Sequence, residues 1–105
     1  MKRTFPIAAA LVLVGSLAWS NVGQVISQVG KTFTPGEITI ARGAVLRIAN
    51  DDRVLHHVYV ESEAFNFDSG EQPPGKTVEL RFPSDGRFDV LCAIHPKMKL
   101  TVNVR

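Results

Sequence analysis

Within LCAIHPKMKL, residues 91 to 100, a thiol, an imidazole and a thioether recur at three-residue intervals: Cys92, His95 and Met98. Cys92 is the only cysteine in the chain of 105 residues. Thiolate and thioether are soft ligands and imidazole suits the same metals, so the string reads as part of a copper or zinc site. Spacings of three let one tight loop turn all three side chains toward a single point. Each residue also has a plainer reading: a small buried hydrophobe, a His-Pro turn, a methionine anchoring a loop. Those readings leave two further features unexplained, an inward histidine on another strand and an unpaired thiol in a chain that carries an export leader.

The positioning elements follow from hydrophobic period. No stretch beyond the leader has a helical repeat. Alternation of apolar and polar residues marks Ile38–Ile40, Leu46–Ile48, Val58–Val60, Val78–Phe82, Phe88–Val90 and Leu100–Val104, with an earlier strand over Gln24–Val29. Turn signals separate them: Pro35-Gly36, Arg42-Gly43, Asn50-Asp51-Asp52, Asp68-Ser69-Gly70, Pro73-Pro74-Gly75 and Ser84-Asp85-Gly86. The expected fold is all-β, a two-sheet antiparallel Greek-key sandwich of seven or eight strands. Ser62 to Pro74 is irregular, with Phe65 and Phe67 expected to plug the space between the sheets.

Strand parity then sorts the candidate ligands. Phe88 and Val90 face the core, so Cys92 faces it too. His56 shares parity with Val58 and Val60 and points inward, whereas His57 shares parity with Tyr59 and points out. An inward histidine at a strand start and an inward cysteine at a strand end can meet at one pole of the sandwich. Two imidazoles and one thiolate in a trigonal plane, with a weak axial thioether, make an electron-transfer copper site. Zinc more often takes four stronger ligands.

Residues 1–20 read as a secretory leader: Lys2 and Arg3, an apolar run from Phe5 to Leu17, then small residues at Ala18 and Ser20. An uncleaved anchor is the rival, but the run is short for a membrane span of about 20 residues. The expected domain is then 21–105, with no membrane span. Of twelve Lys and Arg, two leave with the leader, so the ten that remain balance the ten Asp and Glu. No basic run with interleaved aromatics is present, so no nucleic-acid partner is expected. Export makes a lone Cys92 vulnerable to oxidation, and a bound metal would account for it.

Several stretches together carry a family resemblance. They are GRFDVLCAIHPKM at 86–98, NDDRVLHHVYV at 50–60, FTPGEITIARGAVLRIAN at 33–50 and FDSG with PPG between 67 and 75. The chain resembles the cupredoxins, the blue copper proteins that include plastocyanin, pseudoazurin and amicyanin, and its short Cys-x-x-His-x-x-Met spacing is most similar to that of amicyanin. The resemblance runs from about Phe33 to Val104. It implies that His56, Cys92 and His95 are equatorial copper ligands and Met98 the axial one. It also implies a non-enzymatic, monomeric type 1 copper protein of the bacterial periplasm. That protein would pass single electrons between a donor and an acceptor, such as a c-type cytochrome or a dehydrogenase. A copper-holding or copper-delivery protein with the same site is the alternative. Three positions depart from the family's pattern: His57 stands where Asn is usual, Ala93 where Ser or Thr is frequent, and Ile94 where Pro is frequent. In the family the first two side chains help tie the ligand loops together. Here Pro96 is expected to stiffen the loop instead. Asp51, Asp52 and Arg53 read as a solvated, structural turn. Lys97 and Lys99 read as solvated cations that would favour an acidic docking face.

Overall fold

The computed structural model describes residues 24–105; the leader expected over 1–20 lies outside the described residues. Nine strands follow in order: β1 (Gln24–Gln28), β2 (Phe33–Thr34), β3 (Glu37–Ile40), β4 (Val45–Asn50), β5 (Val58–Val60), β6 (Phe67–Asp68), β7 (Thr77–Arg81), β8 (Gly86–Cys92) and β9 (Lys99–Val104). They form two sheets, one ordered β2-β1-β4-β7 and the other β3-β9-β8-β5-β6. Among the described residues no helix is long and apolar enough to cross a membrane.

The all-β, two-sheet sandwich agrees with the period-two reading, and the details differ in two ways. Strands number nine rather than seven or eight, because β2 and β6 are only two residues each and too short to show an alternation. The sheets are mixed rather than purely antiparallel: β1 runs parallel to β4, and β3 parallel to β9. A parallel neighbour needs a long crossover connection. The segment from Val29 to Ala44 supplies one, because after β2 the chain leaves the first sheet, forms β3 in the second and returns as β4.

Burial follows the alternation. In β4, Leu46, Ile48 and Asn50 are buried while Arg47 and Ala49 are only partly covered. In β8, Phe88, Val90 and Cys92 are buried while Arg87 and Asp89 are exposed and Leu91 is partly covered. Phe82, just after β7, packs its ring 5.0 Å from Phe88 on the facing sheet and 5.0 Å from Phe65. Phe65 and Phe67 both pack against the core, so the irregular segment does cover the gap between the sheets. Cys92 lies four residue steps along β8 from Phe88, which places the aromatic cluster about 13 Å from the cysteine at roughly 3.3 Å per residue. The aromatic cluster thus closes one end of the sandwich and leaves the other end to the polar residues around Cys92.

Phe82 is completely buried, so Phe82→Ala removes a ring shared by both sheets. The expected cost is about 3–5 kcal/mol, a large share of the roughly 5–15 kcal/mol that holds a small domain together. Denaturant unfolding of the metal-free protein measures it, and a loss below about 1 kcal/mol would show that the aromatic cluster is not the structural tie described.

Candidate metal centre

Two strands and one turn bring the candidate donors together. β5 pairs antiparallel with β8, with Val58 opposite Cys92 and Tyr59 opposite Leu91. His56 extends the inward face of β5 by one more alternation and is fixed by a two-way backbone bridge to Gln72: its N–H donates to the Gln72 carbonyl at 3.0 Å, and the Gln72 N–H donates back at 2.7 Å. Beyond Cys92 the chain leaves β8, and the Met98 N–H donates to the His95 carbonyl at 3.0 Å. That bond closes a turn with Pro96 and Lys97 at its centre. Proline suits the first of the two central positions because its φ is already set.

The result is a triangle of ligand atoms. His56 Nδ1 lies 3.6 Å from Cys92 Sγ, His95 Nδ1 lies 3.7 Å from the same sulfur, and the two Nδ1 atoms lie 3.2 Å apart. His56 and Cys92 are buried and His95 is partly covered. A triangle with these sides has a centre about 2.0 Å from each corner, close to a metal–imidazole bond of about 2.0–2.1 Å and a little short of a metal–thiolate bond of about 2.3 Å. The donor set therefore fits a single soft or borderline metal ion. It offers only three strong donors, one fewer than a closed structural zinc site.

The remaining candidates are placed as follows. Met98 is buried directly beyond the turn that His95 opens. His57 lies outside the triangle: its Nε2 meets the exposed Asp68 carboxylate at 2.6 Å. The Gly70 N–H, chiefly, and His57 hold the Asp68 carboxyl below the usual carboxylate range. The two ligand loops are joined by backbone where the β5–β8 ladder continues past Cys92, the Ala93 N–H donating to the His57 carbonyl at 2.8 Å.

A residue assigned to a solvated turn proves to be part of the centre. Asp52 contacts His56 Nε2 at 2.9 Å through Oδ2, and its side chain is only 13% exposed. The same carboxylate accepts from the Gly30 N–H at 2.7 Å and the Lys31 N–H at 2.9 Å. Gly30 and Lys31 both adopt positive φ, 62° and 57°, as a two-residue mirror-image hairpin turn requires. Successive N–H groups in such a turn form a small anion-binding concavity. The Lys31 N–H, chiefly, with His56 and the Gly30 N–H adding to it, holds the Asp52 carboxyl below its usual range. An ionised carboxylate can only accept, so His56 donates from Nε2, and in the neutral ring it is then Nδ1 that offers a lone pair toward Cys92 and His95. Burial, chiefly, with the cationic Lys31 adding to it, lowers the His95 pKa and favours the neutral, ligating imidazole. Asp52 could have been noticed in the sequence only as a carboxylate four places before an inward histidine; its other partners are more than twenty residues away.

Beneath His56 lies a buried amide cluster. Gln28 Nε2 donates to Gln72 Oε1 at 2.8 Å, Gln72 Nε2 donates to the Ile48 carbonyl at 2.9 Å, and Asn50 Nδ2 donates to the Gln72 carbonyl at 2.8 Å. Parity places Gln28 and Asn50 inward but says nothing of what polar groups meet there.

No family model matches the sequence, and no curated protein matches it. Solved structures do. A purple cupredoxin from Nitrosopumilus maritimus aligns with TM-score 0.70 and 21% identity over 78% of this chain and 99% of its own. Amicyanin from Paracoccus versutus aligns with TM-score 0.73 and 21% identity over 79% of this chain and 81% of its own. A copper-containing nitrite reductase from Thermus scotoductus aligns with TM-score 0.73 and 22% identity over 80% of this chain. This chain spans only 22% of that enzyme's length. Residues 24–105 thus adopt the cupredoxin fold, with the His56, Cys92 and His95 donors converging at one end of its sandwich.

Proposed function

We propose that this chain is an exported type 1 copper protein of the bacterial periplasm that carries single electrons between redox partners, with His56, Cys92 and His95 as equatorial ligands and Met98 as the axial one. The observation that carries the reading is the triangle of two imidazole nitrogens and one thiol sulfur, all three donor atoms about 2.0 Å from a common point. The solved structures of similar fold support the choice of metal, since those of amicyanin include a reduced Cu(I) form. Copper bound there would supply a one-electron couple, taking one electron from a donor and passing it to an acceptor.

This chain's own residues contribute stiffness and access. His56 and Cys92 are held by strand pairing and by the Gln72 bridge, so their donor atoms need move little between oxidation states. His95 is the partly exposed member of the set. It lines a shallow hollow with Lys31, Ile94, Pro96, Lys97 and Met98, which makes its ring the shortest route for an electron to the surface. The cationic Lys31 and Lys97 on that rim favour an acidic partner at low ionic strength.

Metal analysis with an optical spectrum tests the assignment directly. The expected result is one copper per chain and strong visible absorption from a copper–thiolate bond. Cys92→Ser should keep the sandwich and lose that absorption; a Cys92→Ser protein as intensely coloured as wild type would remove the thiolate from the site. His56→Ala should abolish the normal copper spectrum, while His57→Ala should preserve it, and the reverse pattern would refute the assignment of His56.

Met98 is a weak axial partner in this reading and should tune the couple more than retain the ion. Met98→Leu should keep copper and colour and raise the reduction potential, because losing axial donation disfavours Cu(II) more than Cu(I). Met98→Gln should lower it, since an amide oxygen is a harder donor. Voltammetry of the three proteins at one pH decides the point: equal potentials would show that Met98 only packs the loop.

A further inference from the structure

We propose that Asp52 is a positioning residue for the metal centre: through His56 Nε2–H it orients the buried imidazole and lowers the reduction potential of the bound ion. The inference rests on the copper assignment above and adds to it a residue outside the ligand set.

The geometry is specific. Asp52 Oδ2 is 2.9 Å from His56 Nε2, on the side of the ring opposite the donor triangle. Both carboxylate oxygens are engaged by the Gly30–Lys31 turn, Oδ1 by Gly30 and Oδ2 by Lys31. The Asp52 N–H donates to Asn50 Oδ1 at 2.9 Å, and Asn50 Nδ2 donates to the Val54 carbonyl at 2.9 Å, so the loop carrying the aspartate is itself braced. The first sheet's β1–β2 turn is thereby linked to a ligand of the second sheet through one carboxylate.

A carboxylate on the far ring N–H of a metal-bound histidine fixes the tautomer and makes the ligating nitrogen more basic. A more basic ligand favours the higher charge, so it favours Cu(II) over Cu(I) and lowers the potential. The neighbouring Asp51 provides the comparison. It lies on the same turn with the same charge, but its carboxylate meets Ser27 Oγ at 2.5 Å and makes no bond to His56.

The test compares wild type, Asp52→Asn, Asp52→Ala and Asp51→Asn. Loss of such a partner typically changes metal affinity about 10–100-fold. Asp52→Asn should keep copper and visible absorption while reducing the preference for Cu(II) about tenfold, a rise in potential of about 59 mV for a one-electron couple. Asp51→Asn should shift it much less. An unchanged potential in Asp52→Asn, or equal shifts at the two positions, would overturn the proposal, the latter by reducing Asp52 to a nearby charge. A readout on the metal-free protein keeps the inference separable from the copper assignment. In nitrogen NMR of wild type, His56 should carry its proton on Nε2 with slow exchange, and Asp52→Ala should accelerate that exchange. Failure of wild type to bind copper would refute the proposed function, whereas unchanged His56 exchange in Asp52→Ala would refute the role of Asp52.

Discussion

Two imidazole nitrogens and a thiol sulfur held 3.2 to 3.7 Å apart are an unfavourable arrangement unless a cation or a proton lies between them. Most of the remaining structure at that end of the sandwich resists their separation. The strand pairing of β5 with β8 sets the distance between the His56 and Cys92 backbones. The turn from His95 to Met98 sets the third corner. Burial of His56 and Cys92 keeps water from satisfying their lone pairs, so the convergent donors have greater need of a shared partner than they would in solvent.

Such a centre needs polar groups behind it, and those groups must themselves be satisfied. The carboxylate of Asp52 is a costly group to place near a core, yet three N–H donors surround it, from Gly30, Lys31 and His56. The amides of Gln28, Asn50 and Gln72 continue the same pattern one layer deeper, each donating to a buried acceptor. Within this cluster only Gln28 Oε1 is buried without a hydrogen-bond partner, and the paired members specify a single arrangement. The aromatic residues at the opposite end supply apolar burial, so the two ends divide the work: Phe65, Phe82 and Phe88 join the sheets by packing, and the amide and carboxylate groups fix the orientation of a few side chains.

The departures from the cupredoxin pattern become intelligible in this light. With Ala93 and His57 in place, the loops cannot be joined by the usual pair of polar side chains. They are joined by a backbone bond from Ala93 to His57, while His57 turns outward to Asp68. The His56 loop is braced by Asn50, Asp52 and the backbone bridge to Gln72.

How much of this was legible in the sequence follows from the range of each interaction. Alternation is a local property, so the six strands longest in pattern, the inward faces of His56 and Cys92 and the outward face of His57 could be read from neighbours one and two positions away. The spacing of Cys92, His95 and Met98 is equally local, and so is the stiff turn at Pro96. The two-residue strands β2 and β6 escaped because two residues contain no period. The parallel pairings escaped because they depend on which sheet each strand joins, a choice made by packing across the whole domain. Asp52 is the sharpest case. On local evidence it belongs to a solvated Asn-Asp-Asp turn. Only the folded chain brings the Gly30–Lys31 turn against it and His56 Nε2 within 2.9 Å, because the three segments lie on strands and loops that meet through β1–β4 pairing. Composition and period determined which side chains face inward; the tertiary structure decided which of them touch, since contact between distant segments is a property of their packing and not of either segment alone.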